Sequence, residues 1–551
     1  MGDERGISLI DRAIPVGNDV GGRRIGATTE ETEMRRRRSF PITATATALV
    51  VILAACSGAS DSSSPLGPSS SPTVRSSQTA PPASFVPPNG EPYDTVFYDN
   101  PGVNPFIDTE DDPFSTFALD VDTGSYAIAR RYLTDGFLPD KDSVRVEEFV
   151  NYFDQNYPTP DSGEDLSVTV DGGSTPFVQN ERNRVVRIGV QAGEVDPTER
   201  ADANLVFVID TSGSMDRENR LELVKDSLEL LVASLRSTDT IGIVEYGTRA
   251  RLVLDPTPVG DEGRILHAID SLRPGGSTNA AAGLEMAYGL IGEEFREGGI
   301  NRVILCSDGV ANVGAATDAS GILDLIRDAS ERHVDLVTVG FGMGNYNDVL
   351  MEQLADQGDG FYAYVDTLAE ARRLFVEDIS GTLQTVARDA KIQVEFDPGT
   401  VQSWRLIGFE NRALADEDFR DDSVDAGEIG AGHTVTALYE IKPILDSNGR
   451  IGVTTLRWRD SVSNEVRELA QPISLNELAS TFELSNPRFQ LDVVVAQYAE
   501  VLRESIWAQQ TGTRLSDLAA WGDHLVRVLP EDEDVRELAG LMRQASAISS
   551  R

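Results

Sequence analysis

Asp210, Ser212 and Ser214 fall within five residues, Asp210-Thr-Ser-Gly-Ser214, where the apolar run Asn204-Leu-Val-Phe-Val-Ile-Asp210 stops. A carboxylate and two hydroxyls are hard oxygen donors of the kind that suits Mg²⁺. Two further oxygen donors stand in comparable positions. Thr278 lies in the glycine-rich stretch Gly275-Gly-Ser-Thr-Asn279, and Asp308 closes a second apolar run, Val303-Ile-Leu-Cys-Ser-Asp308. The chemistry this set can perform is capture of a divalent cation. It requires a fold that returns three separate stretches of chain to one edge.

The elements around these residues predict such a fold. Between about 203 and 379, short apolar runs alternate with amphipathic segments, the pattern of a mostly parallel sheet covered on both faces. The strands are expected at 204–209, 240–246, 250–254, 301–307, 334–340 and 360–364. The intervening helices are expected at about 261–272, 279–294, 319–332, 347–356 and 368–383, after one carrying Leu221, Val224, Leu228, Leu231 and Leu235. In open α/β sheets the carboxyl edge is where ligands bind. A unit covered by its own helices is expected to fold without its flanks.

Asp210, Ser212, Ser214, Thr278 and Asp308, in that order and at those strand ends, resemble the metal-ion-dependent adhesion site of von Willebrand factor type A domains. The resemblance implies a Rossmann-like α/β fold with a mostly parallel six-stranded sheet. It also implies Mg²⁺ (or Mn²⁺ or Ca²⁺) held by the Ser212 and Ser214 hydroxyls. Thr278 would bind directly or through water, and the two aspartates would act largely through water or on the hydration shell. An ion with so few direct carboxylates keeps an open position for an acidic side chain from a protein partner. The alternative is a residual constellation in which Ser and Asp serve only as helix caps.

Outside this unit the pattern changes. Lys391-Ile-Gln-Val-Glu-Phe-Asp397, Thr434-Val-Thr-Ala-Leu-Tyr-Glu-Ile441 and Val453-Thr-Thr-Leu-Arg-Trp458 alternate with period two, as antiparallel strands do. They predict a small β-sandwich, completed by strands near 166–170 and 184–190, so that the α/β unit is an insertion. Ser485-Asn-Pro487 reads as the cap and first turn of a helical tail. Phe114 to Tyr126 and Val144 to Phe153 resemble the N-terminal module of YfbK-like bacterial lipoproteins, and 370–545 resembles their C-terminal domain.

Four arginines, Arg35–Arg38, precede an apolar stretch from Ile42 to Ala55 that is too short to span a bilayer. It ends Leu53-Ala-Ala-Cys56, which resembles a bacterial lipobox and implies lipidation of Cys56. Residues 57–92 are rich in Ser, Pro, Ala and Thr and are expected to be a disordered tether. The resulting division is 1–33, a spurious extension; 34–56, a lipoprotein signal peptide; 57–92, the linker; and 93–200, an N-terminal module with strands. The A domain then covers 201–385, the β-sandwich 386–480 and the helical C-terminal region 481–551. The expected address is the extracytoplasmic cell envelope, in the outer membrane if the cell has one.

Net charge is −42 over 551 residues, which disfavours nucleic acid. With Cys56 lipidated, Cys306 has no partner and is expected to be a buried core residue. Asp122-Thr-Gly-Ser125 spells an aspartic-protease motif, but such enzymes need two carboxylates sharing a proton and no second copy exists. Asp120-Val-Asp122 is also like the paired aspartates of haloacid dehalogenase-type phosphatases, with Gly124 where they carry Thr. A strand, a turn and an N-capped helix is the simpler reading. The four histidines, His267, His333, His433 and His524, are too widely spaced to form a metal set. The favoured function is therefore non-enzymatic: an anchored protein that binds a partner through a divalent ion. The alternatives are a metal-dependent hydrolase and a structural envelope protein with metal-stapled loops.

Overall fold

The computed structural model describes residues 98–550, apart from Asp99, Asp120, Gln179, Pro197, 310–318 and 344–346. The leader, Cys56 and the linker lie outside the described residues.

The apolar runs of the middle segment form one six-stranded sheet. Its order is Tyr362–Val365, Asp335–Phe341, Ile300–Ser307, Ala203–Asp210, Thr240–Tyr246, Ala250–Pro258. The first five are mutually parallel and only the last pairs antiparallel. Ala203–Asp210 is buried along its whole length, which is why it reads as a continuous apolar run rather than an alternating one. Its side chains divide between two cores. Leu205, Phe207 and Ile209 join the helices Arg220–Ser234 and Glu262–Ser271, while Val206 and Val208 join Ala280–Glu293 and Asp348–Asp356.

The chain leaves this central strand to one side and returns to the other. The carboxyl end between Ala203–Asp210 and Ile300–Ser307 is thus the switch point of the sheet, where a crevice opens. The helical stretch expected at 368–383 is interrupted. It runs as Leu368–Arg372, a π turn over Arg373–Glu377, and Ile379–Leu383. Gly381 passes so close to the His433 ring that a Cβ there would overlap it.

Two antiparallel sheets form the sandwich. One runs Ile107–Asp108, Val401–Ile407, Thr434–Pro443, Arg184–Ala192, Leu166–Gly173; the other runs Gly427–Gly430, Thr385–Phe396, Arg450–Asp460, Val466–Ser474. Phe114–Ala118 adds to the second sheet against Thr385–Phe396. Strands from before and after the α/β unit therefore share one core, including Val186, Ile188, Ile392, Tyr439 and Leu456.

Segment 93–200 is shared out among the layers. Its strands enter the sandwich, while helix Gly124–Thr134 contributes Ala127, Ile128 and Tyr132 to one core of the α/β sheet. The α/β unit is thus not covered by its own helices alone. Helix Val146–Asn151 packs with the C-terminal helices Pro487–Leu502, Leu515–Val528 and Glu533–Ser549 in a separate core. Asn486 caps the first of these, accepting from the Arg488 N–H, with Pro487 in its first turn. Among the described residues, no helix is long and apolar enough to cross a membrane.

Candidate metal site

Asp210 ends the central strand and is fully buried. Its Oδ1 accepts the Ser212 N–H at 2.7 Å and its Oδ2 accepts the Ser307 hydroxyl at 3.0 Å. These bonds fix the carboxylate and turn the following loop. The Ser212 and Ser214 hydroxyls then lie 2.9 Å apart, and Ser214 donates to Asp308 Oδ1 at 3.0 Å. Ser212 and Asp308 are buried and Ser214 is half-buried, so one side of the group remains accessible.

The glycine-rich loop folds directly onto the first loop. Gly275 N–H donates to Thr211 O (2.6 Å), and Gly213 N–H donates to Gly276 O (3.1 Å). Gly276 has φ +92°, and a Cβ there would meet Thr248 Oγ1 at 2.7 Å, so this close approach requires glycine. Thr278 is half-buried on the same loop, and its hydroxyl has no hydrogen-bond partner among the described residues. Four of the five expected residues are thus linked through hydrogen bonds, and the fifth is on a loop tied to them by two backbone bonds.

The fit of a cation can be judged from the oxygen spacings. Mg²⁺ holds oxygens at about 2.0–2.1 Å in octahedral geometry, which puts neighbouring ligands about 2.9 Å apart. Ser212–Ser214 (2.9 Å) and Ser214–Asp308 (3.0 Å) are hydrogen bonds of ordinary length, and an ion entering the group would replace these bonds with oxygens already gathered at ligand separation. An all-oxygen set with two carboxylates and two hydroxyls suits Mg²⁺, Mn²⁺ or Ca²⁺ and not a soft metal. Burial raises Asp210 to about 6, against the lowering effect of the Ser212 N–H. Burial also raises Asp308, opposed by the neighbouring Arg220. Carboxylates that are costly to charge when alone are the ones a cation would stabilise most.

Two residues of this neighbourhood escaped the sequence reading. Ser307 orients Asp210, and Arg220 holds Asp308 Oδ2 at 2.7 Å. Ser307 was adjacent to a recognised donor. Arg220 left one signal: a cation at the first position of helix Arg220–Ser234, where the helix dipole disfavours positive charge.

The remaining motifs serve the framework. Asp122 accepts the Tyr362 N–H at 2.8 Å and pairs with Arg412, Ser125 N–H donates to Glu148, and Gly124 lies under the Tyr362 ring. Thr123 makes no side-chain cap, so the helix is not N-capped as expected; Asp122 pins modules together instead. Cys306 is buried, and its thiol is pushed up to about 12 by burial. A separate acidic group, Asp359, Asp425 and Glu428, has carboxylate oxygens within 4.8 Å of one another where the α/β unit meets the sandwich. Burial raises Asp359 to about 7 and Asp425 to about 6, with nearby carboxylates adding to it, Asp335 and Asp425 for the first and Asp389 for the second.

Comparison with known families agrees with this architecture. The family described as von Willebrand factor type A domain matches residues 205–310, and a second, described as von Willebrand factor, matches residues 92–187. The chain carries a von Willebrand factor A domain of the α/β class. More particularly, it is a homologue of YfbK: the family described as uncharacterized protein YfbK, C-terminal, matches residues 381–452. The uncharacterized protein YfbK of Escherichia coli K12 is 42% identical over 377 residues, which is 67% of this chain and 65% of that protein. The match therefore spans just under two thirds of that relative's length.

An uncharacterized protein of Synechocystis sp. is 26% identical over 53% of this chain and 70% of its own. Among solved structures, a von Willebrand factor type A protein from Catenulispora acidiphila covers 68% of this chain and 89% of its own, at 15% identity and a TM-score of 0.41. A-domain proteins typically mediate protein–protein contacts.

Proposed function

We propose that the chain is a membrane-anchored, extracytoplasmic binding protein. Its A domain engages a protein partner through a divalent ion held by Asp210, Ser212, Ser214, Thr278 and Asp308. The supporting observation is the convergence of Asp210, Ser212, Ser214 and Asp308 into one hydrogen-bonded oxygen group at the carboxyl edge of the sheet, with the Thr278 loop tied to it by two backbone bonds. The bound ion would supply an open coordination position, and an acidic side chain of the partner is the group that suits it. Cys56 is the proposed anchor, with the Ser/Pro-rich stretch as tether. Three of the four histidines have places away from the site: His433 meets Phe361 edge to face, His524 bonds Gln490, and His333 precedes the start of strand Asp335–Phe341, at the opposite end from the metal loops. That distribution favours binding over hydrolysis.

The test is capture from envelope extract on immobilised protein. A partner retained in Mg²⁺, released by EDTA and not retained by Ser212→Ala is the expected result. Retention that is equal in EDTA and in the variant contradicts it.

A further inference from the structure

We propose that Arg220 is a resident counter-charge of the metal site, weakening its hold on the ion and leaving the loaded site positive toward an acidic partner. This rests on the metal-binding reading above. Arg220 is buried and divides Asp308 with the hydroxyls: its guanidinium takes Oδ2 at 2.7 Å, while Oδ1 faces Ser214 at 3.0 Å. The same guanidinium donates to the Met343 carbonyl.

Its path is a built feature. The side chain crosses Gly342, which has φ +78°, and a Cβ at that position would fall 2.4–2.8 Å from Arg220 Nε, Cδ and Cγ. Glu218 and Asn219, just before it, both hold the left-handed conformation, at φ 52° and 58°. Two non-glycine residues in that region cost strain, and the fold accepts it to bring a cation to a helix start that disfavours one.

The charge balance follows from these contacts. Asp210 and Asp308 carry two negative charges, and Arg220 returns one positive charge against Asp308. Glu218 also approaches the Arg220 guanidinium, at 3.8 Å, but it is half-exposed and shared with Arg131. Among the buried groups, a divalent ion added to Asp210, Asp308 and Arg220 leaves one net positive charge, where the two aspartates alone would leave none. At close range in a partly buried site, that difference is large enough to change both ion affinity and ligand choice. Arg220 thus leaves Asp308 Oδ1 oriented for the ion while preventing full neutralisation of it.

The experiment measures Mn²⁺ affinity of the full chain by calorimetry for wild type, Arg220→Lys, Arg220→Gln and Arg220→Met, with folding checked by circular dichroism. Arg220→Gln keeps a hydrogen-bond donor and guards against the methionine variant failing to fold. Removing the charge is expected to tighten Mn²⁺ binding about tenfold in both neutral variants, with the lysine variant close to wild type. Acetate, as a carboxylate probe, should perturb the Mn²⁺ resonance less in Arg220→Gln than in wild type. Equal or weaker Mn²⁺ binding in the neutral variants overturns the proposal and assigns Arg220 to positioning alone. Binding by Arg220→Gln but not by wild type supports it. Absence of binding in all four overturns it together with the metal reading.

Discussion

A hydroxyl that only caps a helix and a hydroxyl that holds an ion differ in what their loss does. Ser212 makes no side-chain cap to the turn that follows it, and its hydroxyl contacts Ser214 instead. Ser212→Ala should therefore leave the melting temperature in EDTA nearly unchanged while lowering Mg²⁺ affinity at least about tenfold, since losing even an outer-shell partner of a metal ligand costs that much; calorimetry beside thermal denaturation separates the two effects. His433 allows a second residue-level prediction. Burial pushes its imidazole down to about 4, and its Nδ1 has no hydrogen-bond partner among the described residues. The unfolded chain takes up this proton near 6.5 and the folded chain near 4. Stability is thus fully present above about pH 6.5 and is lost as pH falls toward 4. His433→Gln should flatten that part of the pH profile, seen as a smaller drop in Tm between pH 7 and pH 5.

The residue pattern showed Asp210 and Asp308 because each follows directly on a buried apolar run, and Ser212, Ser214 and Thr278 through the loop motifs that hold them. Arg220 left only its unfavourable place at a helix start, since its partners Asp308 and Met343 lie 88 and 123 positions away.

At the level of elements, the period-two and period-3.6 patterns located strands and helices where one face or both are buried. They did not show which element covers which. Helix Gly124–Thr134 reads as amphipathic, yet nothing in its sequence says that Ile128 and Tyr132 complete the core of a sheet that starts some seventy residues later. Burial of charged side chains was equally hidden. Arg130, on that helix, pairs with Asp366 at 2.5 Å and Glu370 at 2.7 Å in the α/β unit, and with Glu537 in the last helix at 3.2 Å. Arg145 similarly reaches Asp348 at 2.6 Å. Removing one partner of such a buried network leaves uncompensated charge. Arg130→Met is expected to destabilise the folded chain by about 3 kcal/mol or more, measured by urea unfolding. A change within about 0.5 kcal/mol, as for a surface pair, would mean that the helix is not seated on the α/β unit in this way.

On the scale of the whole molecule, the sandwich is assembled across an insertion. Thr434–Pro443 pairs along its length with Arg184–Ala192, which lies on the other side of the entire α/β unit in sequence. The link back is short, with Gln384 alone between helix Ile379–Leu383 and strand Thr385–Phe396. On the entry side, Arg200 grips Asp239 through two bonds of 3.0 and 2.5 Å. The loops of the candidate site are thus carried on a braced frame rather than on a free module. A fragment of residues 386–551 lacks Leu166–Gly173 and Arg184–Ala192 and leaves the inner edge of Thr434–Pro443 unpaired. It should give a poorly dispersed NMR spectrum. A well-dispersed spectrum would show that the earlier strands are dispensable.

The central claim is that three loops meet to hold a divalent ion, and titrating Mn²⁺ into the full chain tests it most directly. Binding should be saturable and one-to-one, lost or much weakened in Asp210→Ala and Thr278→Ala. It should also raise Tm relative to EDTA, since ion at 100 times Kd stabilises the folded state by about 2.7 kcal/mol. No heat of binding to wild type, with the same Tm in EDTA and in Mg²⁺ or Mn²⁺, would contradict the account.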